Sequence, residues 1–264
     1  VVAGQSDDFI SNTSTTSDEA SLFMKFPMSS VDLLEIALNP DFSQIESDDI
    51  QNDFNTVNAL YFEEKRPFFS QGAELFQFSA QRGYINLFYS RTINDPSIAA
   101  KYTGKIGQTS YGIISARDES SPVLLPFEEN STVVTMGKST SNIIRAKKMI
   151  GGNGGSIGAI LTNRIFDNAG DMTTAGLDFH LHPGSNIHIT LHGTASIHNE
   201  SDNQEYVYDP SSTDYPSTFD NGRYTKTFDG EKITGNALGF AINYRDRTDD
   251  YGIVLEFLSV HIKI

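Results

Sequence analysis

The chain contains no cysteine and no tryptophan among its 264 residues. Without cysteine there is no disulfide scaffold, thiolate metal site or cysteine nucleophile. The compartment stays open, because a cysteine-free chain suits an oxidising space without requiring one. No long unbroken apolar run occurs. That excludes a membrane-spanning helix, but not a spanning β-barrel, whose strands alternate and never produce such a run. Basic residues are scarce, 19 against 34 acids for a net charge of -15. Such a chain repels phosphate backbones, which disfavours nucleic acid as a partner. The opening VVAGQSDDFISNTSTTSDEAS has neither a basic n-region nor an apolar h-region, so any secretion signal is expected to lie upstream or to have been removed. No Gly-x-Ser-x-Gly, Walker loop, dinucleotide fingerprint or HExxH motif is present, and no enzyme is expected.

What is present is apolar and aromatic. Hydrophobic residues make up 38%, with 18 Phe and 11 Tyr, too much for a disordered chain. Residues 1–20 are rich in Ser, Thr and Asp and read as a flexible lead-in. Residues 21–264 read as one antiparallel all-β domain of the barrel type, with about ten to twelve strands. A helical and Phe-rich segment is inserted at about 40–80, and a long acidic loop at about 199–232.

In the first insertion, Ser43 and Glu46 have capping-box spacing, and Asp48 and Asp49 suit the positive end of a helix dipole. Ile50, Phe54, Val57 and Tyr61 recur at helical intervals, and Arg66-Pro67 ends the pattern. The block 39–80 carries eight acids, two bases and seven phenylalanines, so it is expected to pack against something.

The strands show period-two alternation. In residues 30–39, Leu34, Ile36 and Leu38 share one face, with Leu33 and Glu35 on the other. Further strands are expected at 84–93, 101–108, 110–118, 142–150, 156–166, 236–247 and 251–260. GGNGG forms the tip between the 142–150 and 156–166 strands. The hairpin TTAGLDFHLH-PGS-NIHITLHGTAS separates an apolar set (Leu177, Phe179, Leu181, Ile187, Ile189, Leu191) from a polar one (Asp178, His180, His182, His188, Thr190, His192). A three-residue loop, Pro183-Gly184-Ser185, would place His180 opposite His188. In the last pair, Leu238, Phe240, Ile242 and Tyr244 are expected outward. Strands this long suit a bilayer crossing, with small and polar residues toward a wet lumen. A soluble antiparallel sandwich or barrel alternates too.

Three groups of residues invite a chemical reading. Glu63 or Glu64 beside Lys65 and Arg66 resembles an acid/base pair, yet adjacent residues rarely face one substrate atom. A structural plug or anchor is the expected role, with Arg66 pairing with a carboxylate such as Asp48, beside Lys65, and with Phe68 and Phe69 seated against the barrel. Asp178, His180, His182 and His188 have spacing that would hold Zn²⁺, against the plainer reading of a wet face that uses histidine. The 199–232 loop interleaves Tyr206, Tyr208, Asp209 and Tyr215, a pattern suited to sugar stacking or to Ca²⁺, without regular calcium-loop spacing.

The blocks NPDFSQIESDD (39–49), YFEEKRPFFSQGAELFQF (61–78) and LFYSRTI (87–93) carry a resemblance. They resemble a family of largely uncharacterised bacterial outer-membrane proteins, common in Bacteroidota and some marine proteobacteria. GKIGQTSYGIISA, GGSIGAILTNRIF and GLDFHLHPGSNIHITLHG look like that family's Gly-containing strands. The resemblance implies an outer-membrane barrel, usually preceded by a carbohydrate-binding-like module of the family-nine type that this sequence lacks. Ser70-Gln71 and Thr92 depart from the family's Leu-Glu and Arg. The pattern also stops at residue 264 without the terminal aromatic typical of such barrels, so a fragment, a shortened relative or one part of a composite barrel is expected.

The functional expectation is a barrel in the outer membrane of a Gram-negative bacterium. It would act as a channel, a surface receptor or a component of a membrane assembly, with lipid, other subunits or polysaccharide as partners. The alternative is a secreted soluble β protein that binds, or hydrolyses, carbohydrate. No resident cofactor is expected beyond Ca²⁺ or Zn²⁺.

Overall fold

The computed structural model describes residues 6–8, 13–15, 21–40, 64–78, 86–126, 131–168, 170–202, 218–219, 222, 224–225, 228–247 and 250–259. The helix read at 43–61 lies outside the described residues, as does most of the acidic loop.

Alternation in the sequence becomes one ten-stranded antiparallel sheet. Its strands are β1 (Leu22–Pro27), β2 (Leu33–Leu38), β3 (Pro96–Ile106), β4 (Thr109–Asp118) and β5 (Ser139–Ile150). They continue as β6 (Gly155–Phe166), β7 (Gly170–Leu181), β8 (Ile187–Glu200), β9 (Lys232–Arg245) and β10 (Asp250–Ser259). Spatial order follows chain order from β1 to β10, an up-and-down meander. Among the described residues, three small strand pairs lie outside it, Ser6–Asp8 with Thr13–Thr15, Pro122–Pro126 with Ser131–Thr135, and Thr218–Phe219 with Tyr224–Thr225. The protein is therefore all-β and antiparallel, but the sheet is open, with β1 and β10 as its edges. Among the described residues no helix is long and apolar enough to cross a membrane.

The meander gives the sheet two unlike ends. At one end the connections are short, at residues 28–32, 107–108, 151–154, 182–186 and 246–249. Gly151 and Gly154 take positive φ (68° and 79°) at the GGNGG tip, a conformation that costs glycine little. At the other end run the long connections at 39–95, 119–138 and 201–231, together with the short one at 167–169.

Two sequence expectations are corrected. Residues 84–93 do not form a described strand: 86–93 are irregular, with a 3-10 turn at Ser90–Thr92. The carbonyls of Ser90 and Ile93 accept hydrogen bonds from the Arg66 guanidinium rather than from a sheet ladder. The 177–191 hairpin pairs His180 with Thr190 and Leu181 with Ile189, so His188 stands opposite His182. That is a shift of two residues from the expected register, which leaves every side chain on its face and is invisible to alternation. The tip fixes it. The His182 and His188 rings meet edge to face at 4.6 Å, and His182 Nδ1 lies 2.8 Å from the Asn153 carbonyl. The strand at 30–39 gains a partner, β1, that alternation had not marked.

Candidate functional site

The two faces of the sheet carry opposite chemistry. Toward one side point Leu22, Ile98, Ile113, Ile144, Ile157, Leu161, Leu177, Leu191, Leu238, Phe240, Ile253 and Phe257, all exposed. Leu177 is 52% exposed, Leu238 55% and Phe257 65%, and no part of the described chain covers them. Phe179, Ile189 and Ile242 on the same face are half-buried by their neighbours. The other face carries Glu35, Lys101, Arg145, Asp178 and His192, all buried, interspersed with Ala99, Ile114, Ile143 and Ile160.

What buries this inner wall is the Phe-rich segment, residues 64–78, with helices α1 (Pro67–Ser70) and α2 (Ala73–Phe76). Proline at the start of α1 suits a first helical position that needs no amide donor. Phe68, Phe69, Phe76 and Phe78 form one core with Ala37, Ala99, Ile114, Ala116, Ile143, Ile160 and Ile93. Glycines in the wall make room for them. A Cβ on Gly176 would sit 2.7 Å from Phe78 Cε2, and one on Gly112 would sit 2.9 Å from Leu75 Cδ2.

Three fully buried cations tie the segment down, each joining a carboxylate to backbone carbonyls. Lys101 Nζ pairs with Glu35 Oε2 at 2.7 Å and donates to the carbonyls of Phe68 and Gln71, the latter at 2.8 Å. Arg145 donates to both oxygens of Asp178 (Nη2 to Oδ2, 2.9 Å) and to the carbonyls of Leu75 and Gln77 at 3.1 and 3.2 Å. Arg66 donates to Ile93 O (2.6 Å), Ser90 O (2.8 Å) and Glu64, and stacks on the Phe69 ring at 4.4 Å. Burial raises the Glu64 carboxyl's proton affinity, but the hydrogen bonds from Arg66 and Ser90 outweigh it and hold the group below its usual range. A fourth pair secures the approach to β3, where Asp118 accepts from the amides of Asn94 and Asp95 and from Arg164.

The sequence-derived anchor residues therefore divide. Phe68 and Phe69 are buried in the core between segment and wall, Arg66 is buried against residues 90–93, Lys65 is exposed, and Asp48 lies outside the described residues. The described carboxylate on Arg66 is Glu64. Lys101, Glu35 and Arg145 were missed. Their signal was a charged residue on the small, polar face of an otherwise apolar strand, but alternation could not name their partners.

Of the ligand candidates, Tyr206, Tyr208, Asp209 and Tyr215 lie outside the described residues. Asp178 has both oxygens engaged by Arg145, and His180 Nε2 stands 3.9 Å from Asp178 Oδ2. No three of Asp178, His180, His182 and His188 bring ligand atoms within 4.8 Å of one another. Such a grouping does occur among the described residues at Glu200, Asp229 and Glu231, at the long-loop end. There Glu231 accepts from the Thr225 amide and Asp229 from the Thr225 hydroxyl.

No curated protein and no solved structure matches the chain. Residues 2–120, under half the chain, match the family model of a domain of unknown function, DUF5916. The matched stretch holds β1–β4 and the Phe-rich segment, so it covers both the wall's first strands and the segment pinned to them.

Proposed function

We propose that this chain forms the wall of an outer-membrane β-barrel whose wet side is closed by the 64–78 segment, and that it serves as a channel, a surface receptor or a subunit of a larger membrane assembly. One observation carries the reading. Large apolar side chains cover the outward face from β1 to β10, while charged and small residues line the inward face. A soluble monomer rarely leaves a contiguous apolar patch beyond a few hundred Å² uncovered. A bilayer gives such a face its solvent, and the wet or plugged interior takes the polar set. The eight strands β3–β10 are 10 to 14 residues long, enough to cross when tilted. The reading requires the backbone groups of β1 and β10 to be paired in the membrane, because unpaired groups are costly in hydrocarbon.

The absence of tryptophan makes the test clean. Leu177→Trp places one fluorophore outward and Phe76→Trp one inward. In vesicles, brominated lipid is expected to quench the first and spare the second. A chain that stays monomeric in plain buffer, with Leu177→Trp emission indifferent to lipid, overturns the proposal.

A further inference from the structure

The inner wall changes character toward the short-turn end. Lys105 of β3 and Lys147 of β5 flank Ser110 from either side in one register row, on the face that also bears Arg145. Across Gly158, that row reaches Asp178, which Arg145 holds with both oxygens engaged. One and two rows nearer the turns come His180, then His182 and His188. Ser156 and Thr190 flank His180 in the ladder. His180 Nε2 is out of contact with water and makes no hydrogen bond, although the side chain is 22% exposed. In a chain of net charge -15, this gathers two lysines and three imidazoles around a carboxylate already committed elsewhere.

We infer that this end of the inner wall is a binding site for a small oxyanion, a carboxylate or a sulfate- or phosphate-like group, held by Lys147, His182 and His188 with His180 and Lys105 at its margin. Its position on a water-facing wall rests on the membrane reading, while its chemistry rests on the side chains alone. The charge field favours an anion over a metal. A divalent ion among these imidazoles would face Lys147 and Arg145, and the carboxylate that would offset them is taken. An oxyanion instead gains charge-assisted hydrogen bonds from Lys147 and the ring N–H groups.

Binding should strengthen as pH falls, because a protonated imidazole brings positive charge and a second ring N–H donor. The groups facing the histidines are Lys147 and Arg145 from β5, Asp178 from β7, His192 from β8 and Lys105 from β3. Arg245 of β9 shares the face near the turn, and Glu256 of β10 falls in the Asp178 register row three strands away.

The test follows the histidine ring resonances of the full, detergent-solubilised chain during titration with sulfate, whose charge is constant across this range. Citrate in a parallel arm separates a carboxylate preference. Saturable shifts of His182 and His188 are expected, tighter at about pH 6 than at about pH 8. Loss of one charge-assisted contact in Lys147→Gln should weaken binding about tenfold, and Lys147→Arg should restore it. Rings that ignore both anions at the lower pH, or a Lys147→Gln variant that binds as well as the parent, overturn the site. Stoichiometric zinc lost in His188→Ala overturns it in favour of a metal. Vesicle insertion is scored on the same sample. A chain that inserts but ignores both anions refutes the site alone, and one that binds sulfate without inserting refutes only the membrane reading.

Discussion

Arg145 of β5 and Asp178 of β7 sit two strands apart and meet across the bare Cα of Gly158 on the strand between them. A Cβ on Gly158 would lie 2.7 Å from both terminal guanidinium nitrogens and from Asp178 Oδ1. The pair exists in this geometry because the intervening residue has no side chain, and the Arg145 Nε, with Nη2 shared between Asp178 and the segment, holds the segment's carbonyls.

Removing one partner of this pair should therefore cost far more than removing both. Asp178→Ala leaves a buried guanidinium uncompensated, with an expected loss of about 3–5 kcal/mol. Arg145→Met with Asp178→Leu should recover much of it. Urea unfolding of the two variants in the same detergent decides the matter, and equal stability of the single and double variants would contradict the buried pair. Gly158→Val should behave like the single variant, since its branches occupy the space where the pair meets.

Lys101→Met should loosen the segment without unfolding the sheet. The variant loses the Glu35 ion pair and the donor to Phe68 O and Gln71 O, while the ladder between β3 and β4 is unchanged. Limited proteolysis is expected to cut between α1 and α2 at least tenfold faster than in the parent, the factor that about 1.4 kcal/mol of local opening would give. Unchanged cleavage would mean that the phenylalanines alone hold the segment.

The pH dependence of that contact has a defined sign. Glu64 has its proton affinity lowered in the folded chain, so its contribution is present above its unfolded value, 4.5, and is lost as pH falls through the lower folded value. Acid should release the segment below about pH 4.5, and Glu64→Gln should flatten that dependence. Cleavage rates measured from neutral to acid pH read it directly.

Leu177→Arg separates lipid from water on the outward face. At a bilayer midplane an arginine there costs about 2–4 kcal/mol, whereas on a water-facing surface the change stays within about 0.5 kcal/mol. Unfolding from vesicles and from detergent gives the two values, and a loss near zero in vesicles would place Leu177 outside the hydrocarbon.

Which of these contacts were visible in the sequence depends on their range. Leu34, Ile36 and Leu38 against Glu35, and Ile157, Ala159 and Leu161 against Gly158, could be sorted from the chain alone, because successive side chains in a strand alternate faces. Arg66, Phe68 and Phe69 stood out by local density of charge and aromatic area. The partners did not. Glu64, which the sequence leaves without a named partner, lies against Arg66, and Asp178, which it sets beside three histidines, is held by Arg145, 33 positions away.

The sequence by itself determined the strand class, the faces and the segment that must pack, since each follows from period-two patterning and local composition. Tertiary structure alone decided register, ion-pair partners and the fate of the apolar face. A two-residue slip leaves the faces unchanged, so only the hairpin tip set His180 opposite Thr190. A buried cation is also stable only where the folded sheet brings a carboxylate to it. The face that alternation marked as apolar is turned outward because the polar wall is occupied by the chain's own phenylalanines.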